Sequence, residues 1–226
     1  MIGRLRILSV ALALIGIGFL AAGGFAYFKT QEGYRSLDAY SSAQNVTLEY
    51  SAAGQLGGDD PTESQAILAM LRDDWKFPVV DSDLNPNDPV INTASEYMYQ
   101  MAMVTYHTLN AATTVVLTEP VDYNGETFAA GEYEVVNDGR YWVDFDRSHP
   151  IEGPARDQIW SPTAHALIAE LGVGTATASA LQLGLALVAL FAGVGATFLF
   201  TGAGLFWATR PETEPVPVLR TASVTA

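Results

Sequence analysis

Residues 7–28 read I-L-S-V-A-L-A-L-I-G-I-G-F-L-A-A-G-G-F-A-Y-F, twenty-two positions from Ile7 to Phe28 without an Asp, Glu, Lys, Arg or His. At a helical rise of about 1.5 Å per residue this run reaches about 33 Å, enough for a hydrocarbon core of about 30 Å. A second uncharged block extends from Gly172 to Thr209, densest between Leu183 and Trp207. Two apolar helices bracketing a polar middle define the organisation. A stub at 1–6 precedes a transmembrane helix at 7–28, a domain occupies 29–171, a second transmembrane helix spans 178–208, and a tail fills 209–226.

The middle is strongly acidic. Between Lys29 and Glu170 there are 23 acidic and 7 basic residues, a net of −16. Such a field repels nucleic acid and anionic headgroups, both of which demand Lys and Arg at the contact. The chain has no cysteine, which excludes disulfides, thiolate metal sites and thiol nucleophiles. Arg4 and Arg6 flank the first span, and Arg210 follows the second directly. By the positive-inside rule both termini are expected in the cytoplasm and the acidic domain outside a bacterial plasma membrane. A cleaved signal peptide is the rival reading of the first span, because Ala22 and Gly24 are small residues at plausible recognition positions. The length of the run and the aromatic pair Tyr27-Phe28 favour an uncleaved helix.

Small residues recur on each span. Gly18 and Ala22 on the first, with Ala11 and Ala26, and Ala192, Gly195, Ala196 and Gly202 on the second, are the expected helix-packing faces. They would pack the two helices on each other, or dock them on another membrane protein or a second copy. Neither span carries an ionisable residue, so an ion or proton path through this chain lacks its usual parts.

Within the domain, residues 31–44 read as a helical extension of the first span, and N-V-T-L-E-Y at 45–50 alternates like a strand. Two capping-box patterns, Thr62 to Gln65 and Thr93 to Glu96, predict helices, the second reaching Leu109 with Tyr97, Met101, Val104 and Thr108 on its buried face. Strands are predicted at 113–117, 127 onward, 132–136 and 141–145, with a hairpin turn at Asn124-Gly125. A last helix from near Pro162 is expected to run into the second span. The fold class is therefore an α+β extracytoplasmic domain, a small antiparallel sheet plus helices, between two transmembrane helices. The Pro-rich tail after Pro211 reads as disordered.

Candidate chemistry is sparse. Asp81, Asp83, Asn85 and Asp88 alternate like oxygen ligands of a calcium loop. Pro86 stands where that loop requires glycine, however, and Asn92 stands where it requires a bidentate Glu. The same residues close Asx-turns without a metal. His107, His149 and His165 have no metal-ligand spacing. From Gly139 to Trp160, aromatics and cations interleave, and Arg140, Tyr141, Trp142, Phe145, Arg147 and Trp160 are candidate interface residues. The alternative is internal Arg–Asp pairing over an aromatic core.

The stretches E-G-Y-R-S-L-D-A-Y-S-S-A-Q-N-V-T-L (32–48), N-T-A-S-E-Y-M-Y-Q-M-A (92–102) and D-G-R-Y-W-V-D-F-D-R-S-H-P-I-E-G-P-A-R (138–156) resemble an uncharacterised family of two-span membrane proteins from actinobacteria. The resemblance covers Arg4 to Trp207. Members of that family are often labelled as an aromatic ring-opening dioxygenase subunit, but the resemblance brings no catalytic residues. An extradiol site needs iron on two histidines and a carboxylate, and the three histidines here form no such pattern. The expected role is a non-catalytic accessory or scaffolding subunit of a larger membrane complex, without cofactor, in contact with the lipid bilayer and other membrane proteins or itself. A module that binds or senses a small ligand or cation is the alternative.

Overall fold

The structure, a computed structural model, describes residues 2–210. The expected tail from Pro211 lies outside the described residues. Five helices and two small sheets follow in the order α1 (Ile2–Gln44), α2 (Thr62–Ala69), α3 (Ala94–Leu109), β1 (Ala112–Leu117), β2 (Val121–Tyr123), β3 (Glu126–Phe128), β4 (Gly131–Val136), α4 (Glu152–Ile159) and α5 (Pro162–Ala208). The chain divides into two compact units, one of residues up to Thr30 and from Gly184 onward, the other Gln31–Leu183. The second unit ends at Leu183, within α5, whereas the expected domain spans 29–171.

In the first unit, segments of α1 and α5 pack together through residues spaced by seven. The covered positions are Ser9, Gly16, Gly23 and Thr30 on α1, and Gly195 and Gly202 on α5 with Thr209 just past its end. A Cβ added at Gly16 would lie 2.7 Å from the Gly195 carbonyl oxygen, and one at Gly202 would lie 2.6 Å from the Ser9 carbonyl oxygen. Only residues without side chains permit backbones this close, the reason small residues mark such interfaces. Phe19 adds ring contacts with Phe191 and Phe198 at 6.0 and 6.1 Å. At one end, Arg6 donates through Nη2 to the Thr209 carbonyl oxygen at 2.7 Å. This places a cation on the negative end of α5 and satisfies one of its orphan carbonyls.

Of the expected small-residue faces, Gly195 and Gly202 are in the contact and Ala196 is half-buried, whereas Ala192 is exposed. On α1, Ala22 is exposed, and a Cβ at Gly18 would meet nothing within 4 Å. Two residues along a helix is a rotation of about 200°, so Gly18 points away from the side that Gly16 presents. Most of the remaining surface of the two apolar segments is exposed. Of the most apolar window, 11% is buried for α1 and 6% for α5, and both helices are long and apolar enough to cross a membrane.

The second unit is helix-rich. α1 ends at Asn45, whose φ of 51° is the left-handed stop that asparagine tolerates. The strand expected at 45–50 does not form, and only isolated bridges pair Thr47 with Val90 and Tyr50 with Leu56. The first capping box also fails. Pro61 is the N-cap of α2 without a side-chain bond, while Ser64 donates to the carbonyl oxygens of Leu56 and Pro61 instead. The second forms in full. The Glu96 amide donates to Thr93 Oγ1 at 3.2 Å, and Glu96 Oε2 accepts from the amides of Asn92 and Thr93 at 3.0 and 2.9 Å. α3 buries more than the predicted stripe. Tyr97 and Thr108 are covered, Met101 and Val104 only in part, and Ser95, Tyr99, Ala102 and Thr105 are covered on a further face.

β1 pairs with β4 antiparallel, Ala112 opposite Val136 and Leu117 opposite Gly131. Between them β2 and β3 make a separate hairpin whose turn residues Asn124 and Gly125 have φ of 49° and 86°, the backbone an Asn-Gly hairpin turn requires. Asn137, fully buried, holds this ribbon to α3. Its amide donates to the Ala111 carbonyl oxygen at 2.8 Å and its side chain to the Thr108 carbonyl oxygen at 2.7 Å. Residues 141–145 are not a strand. Trp142–Asp144 form a 3-10 turn, closed by the Asp144 carboxylate accepting from the Tyr141 amide at 2.8 Å. α4, absent from the expected elements, packs on β1 through Ala155 and Ile151 around Val115.

Two predictions follow from these contacts. Replacing Gly195 with leucine should destabilise the first unit by about 1–3 kcal/mol through overpacking. Gly18→Leu should leave thermal unfolding in detergent unchanged, and equal melting of the two variants would contradict the seam. Glu96 supplies a pH signature. Burial raises its carboxyl above the ordinary value, against the opposing pull of its hydrogen bonds. Its stabilising term is therefore fully present below the unfolded pKa and is lost as pH rises through the raised folded one. Denaturant titrations across that window should flatten in Glu96→Gln, which keeps a box-competent side chain.

Candidate functional site

The four candidate cation ligands do not converge. Asp81 is ion-paired with Arg72, and Asn85 Oδ1 accepts from the Asn87 amide at 3.0 Å in an Asx-turn. Asp83 is half-buried and Asp88 exposed. No group of three or more His, Asp or Glu side chains among the described residues could hold a metal ion. His107 pairs with Glu63 at 2.7 Å rather than with Glu96 on its own helix. His149 Nδ1 accepts from the amides of Ile151 and Glu152 at the start of α4.

The aromatic and cationic stretch folds onto itself. Phe145 and Trp160 are core residues at 5% exposure, which removes them from any outward interface. Arg140 lies 4.1 Å over the Phe145 ring and bonds Glu152 at 3.0 Å, while Arg156 pairs with Asp157 at 2.7 Å. Arg147 and Arg156 lie 4.6 and 4.5 Å from the centroid of the half-buried Trp142. Tyr141 stacks on Trp160 at 5.9 Å. Of the six candidate interface residues, only Tyr141 and Arg147 remain exposed. Cation–π contacts of this kind contribute about 0.5–2 kcal/mol each to holding the loop.

The concave feature of the second unit lies elsewhere, in a place no local motif marks. A cleft of about 820 Å³ opens between three helix segments, within the range of about 300–1,000 Å³ usual for small-molecule sites. α1 contributes Gly33, Ser36, Leu37, Tyr40, Ser41 and Gln44, α3 contributes Tyr97, Gln100 and Val104, and α5 contributes Leu167, Glu170, Leu171, Val173, Gly174 and Thr177. Val46 and Ile91 complete the lining.

Its walls are fixed by four hydrogen bonds and one close packing. Tyr40 donates to Glu170 Oε1 at 2.7 Å, and Gln44 Nε2 donates to the same oxygen at 2.6 Å. Gln44 also donates to the Tyr40 hydroxyl oxygen at 2.7 Å. These three side chains tie α1 to α5. The hydrogen bond from Tyr40, then that from Gln44, holds the Glu170 carboxyl below the ordinary carboxylate range. Deeper, the hydroxyls of Ser41 and Tyr97 are 2.9 Å apart and buried. The Tyr97 ring lies directly on the backbone of Gly174, where a Cβ would overlap it. A deeply apolar lining with a few convergent polar groups at one place is the usual form of a ligand site.

One sequence signal pointed here. Along the whole of α5 only His165 and Glu170 are ionisable, and an isolated acid on an otherwise apolar, small-residue helix demands a partner. The partner residues Tyr40 and Gln44 are 130 and 126 positions away, beyond any spacing rule.

Glycine substitutions separate packing from helix propensity along this wall. Gly174→Ala should destabilise the domain by about 1–3 kcal/mol because the methyl meets the Tyr97 ring. At Gly172 a Cβ would meet only the Met101 sulfur, at 3.9 Å. Gly172→Ala should therefore stabilise by up to about 1 kcal/mol from helix propensity alone. Circular-dichroism melts of the two variants check the contrast, and a shift of the same sign in both would refute the contact.

Comparison with protein-family models, with curated proteins and with solved structures returned no match.

Proposed function

We propose that this chain is a two-span membrane protein whose central domain is a non-catalytic binding module for a small, largely apolar molecule. The cleft between α1, α3 and α5 carries the proposal. It has the volume and lining of a ligand site, and it is built by packed helices rather than loops.

The membrane part rests on exposure. An apolar helix of this length in a water-soluble protein is covered by its own core. α1 and α5 cover little of theirs, and bare apolar surface of that extent needs lipid around it. Arg4 and Arg6 precede one span and Arg210 follows the other. The orientation that fits is both termini cytoplasmic and the domain outside, in a bacterial plasma membrane. A domain net charge of −16 suits a water-facing position and disfavours nucleic acid.

A scaffolding role, the leading expectation from sequence, loses two of its supports. Gly195 and Gly202 serve the chain's own helix pair, and Phe145 and Trp160 are buried in the domain. One observation still favours it, the unused small residues Gly18 and Ala22 on the exposed side of α1. They are available to another membrane protein or a second copy.

Two measurements test the proposal. Because the chain lacks cysteine, a single cysteine at exposed Gln65 should react with an impermeant maleimide in intact cells, while one at Ser223 should react only after lysis. The reverse pattern would reject the orientation. Val104→Trp fills the cleft from α3. Wild-type protein extracted from membranes should release a bound small molecule on denaturation that the tryptophan variant lacks. Equal content in both would reject the binding module.

A further inference from the structure

We infer that the cleft selects amphiphiles bearing a protonated amine, with Glu170 receiving the ammonium group and Leu37, Val104 and Leu171 accommodating the hydrocarbon body. This deepens the binding reading above and rests on it.

Charge complementarity beside an apolar lining favours an ammonium group. Among the lining residues Glu170 alone is charged, and none is Lys, Arg or His. Glu170 is solvent-exposed beside this apolar lining, where an ammonium can reach its carboxylate without leaving water entirely. Two donors, Tyr40 and Gln44, both go to Oε1. A carboxylate accepts at about four lone-pair positions across its two oxygens, so Oε2 is left to meet a ligand. The two donors also fix the carboxylate in place, so a bound ammonium finds a pre-positioned acceptor and does not have to order it.

Alternative head groups fit less well. An alcohol can donate to the carboxylate but brings no positive charge, so it lacks the Coulomb attraction an ammonium adds. A carboxylate or phosphate head would meet Glu170 as a like charge, within a segment whose net charge is already −16. An inorganic cation would find a single carboxylate, too few ligands for calcium or magnesium. The hydrocarbon requirement follows from the walls, since Leu37, Val46, Ile91, Val104, Leu167 and Leu171 dominate them.

The test uses the full chain in phosphatidylcholine nanodiscs, equilibrated in turn with dodecylamine, dodecanol and dodecanoate at equal bilayer loading. Retention is read by native mass spectrometry. The expected result is a one-to-one adduct with dodecylamine, favoured about tenfold over the other two probes, as the Coulomb attraction of one ion pair at a protein surface allows. In Glu170→Gln the ratio of amine to alcohol should fall to about one. Equal retention of the three probes by wild type, a preference for dodecanoate, or an amine preference that survives Glu170→Gln would overturn the inference. The comparison on wild type needs no variant to fold. Retention of none of the three would overturn the binding reading itself, a different failure from retention without head-group preference.

Discussion

The close approach of two helix backbones is the constraint on which the rest depends. Where Gly16 meets Gly195 and Gly202 meets Ser9, carbonyl oxygens lie where a side chain would otherwise stand. The covered positions recur every seven residues, which keeps one stripe of each helix turned to its neighbour. Within the domain, the same helices contribute Leu37 on α1 and Gly174 and Leu181 on α5, still in steps of seven from Thr30 and Gly195. There the requirement changes character. Gly174 admits the Tyr97 ring and Gly33 admits the Leu181 side chain, so the missing Cβ makes room for a third helix and for core packing instead of for a bare backbone.

The domain gains its order from side chains that satisfy helix ends and turns. Glu96 and Thr93 exchange bonds at the start of α3, and Asn137 takes up carbonyls at its end. Asp144 folds the Tyr141 turn back on itself. None of these needs a metal or a disulfide, and a cysteine-free chain has to rely on such local closures and on its core. The acid–polar cluster of Tyr40, Gln44 and Glu170 does more than close a turn, because it joins two helices and sits in the wall of the cleft.

What was legible in the sequence tracks how local its cause is. The box Thr93–Glu96 and the Asn124-Gly125 turn are determined within four residues, and both formed as read. The stretch 45–50 has strand-like alternation, but a strand needs a neighbour, and there the chain offers only single bridges to Val90 and Leu56. Tyr141–Phe145 alternates too, yet a side chain three residues on competes successfully for the backbone. α4 was hidden by Gly153 and Pro154, although proline in a first turn costs no hydrogen bond. Gly18 and Ala22 were chosen because they are small. Smallness says nothing about azimuth, and the sevenfold recurrence through Gly16 and Gly23 was the better guide. The cleft was illegible because its walls come from three segments widely separated along the chain.

The separation of those walls bears on the order in which the molecule can assemble. Tyr97 finds Ser41 across 56 residues, whereas Glu170 finds Tyr40 only across 130. On a ribosome adding about 5–20 residues per second, the α5 wall emerges some seconds after α3. Until then Leu37, Ile91 and Tyr97 have no cover on one side, and the nascent unit exposes an apolar surface to whatever is nearby. Contacts of such long range also close slowly. The step that completes the domain is thus the arrival of α5, the second of the two long apolar helices, so the cleft closes only once most of the chain has been made.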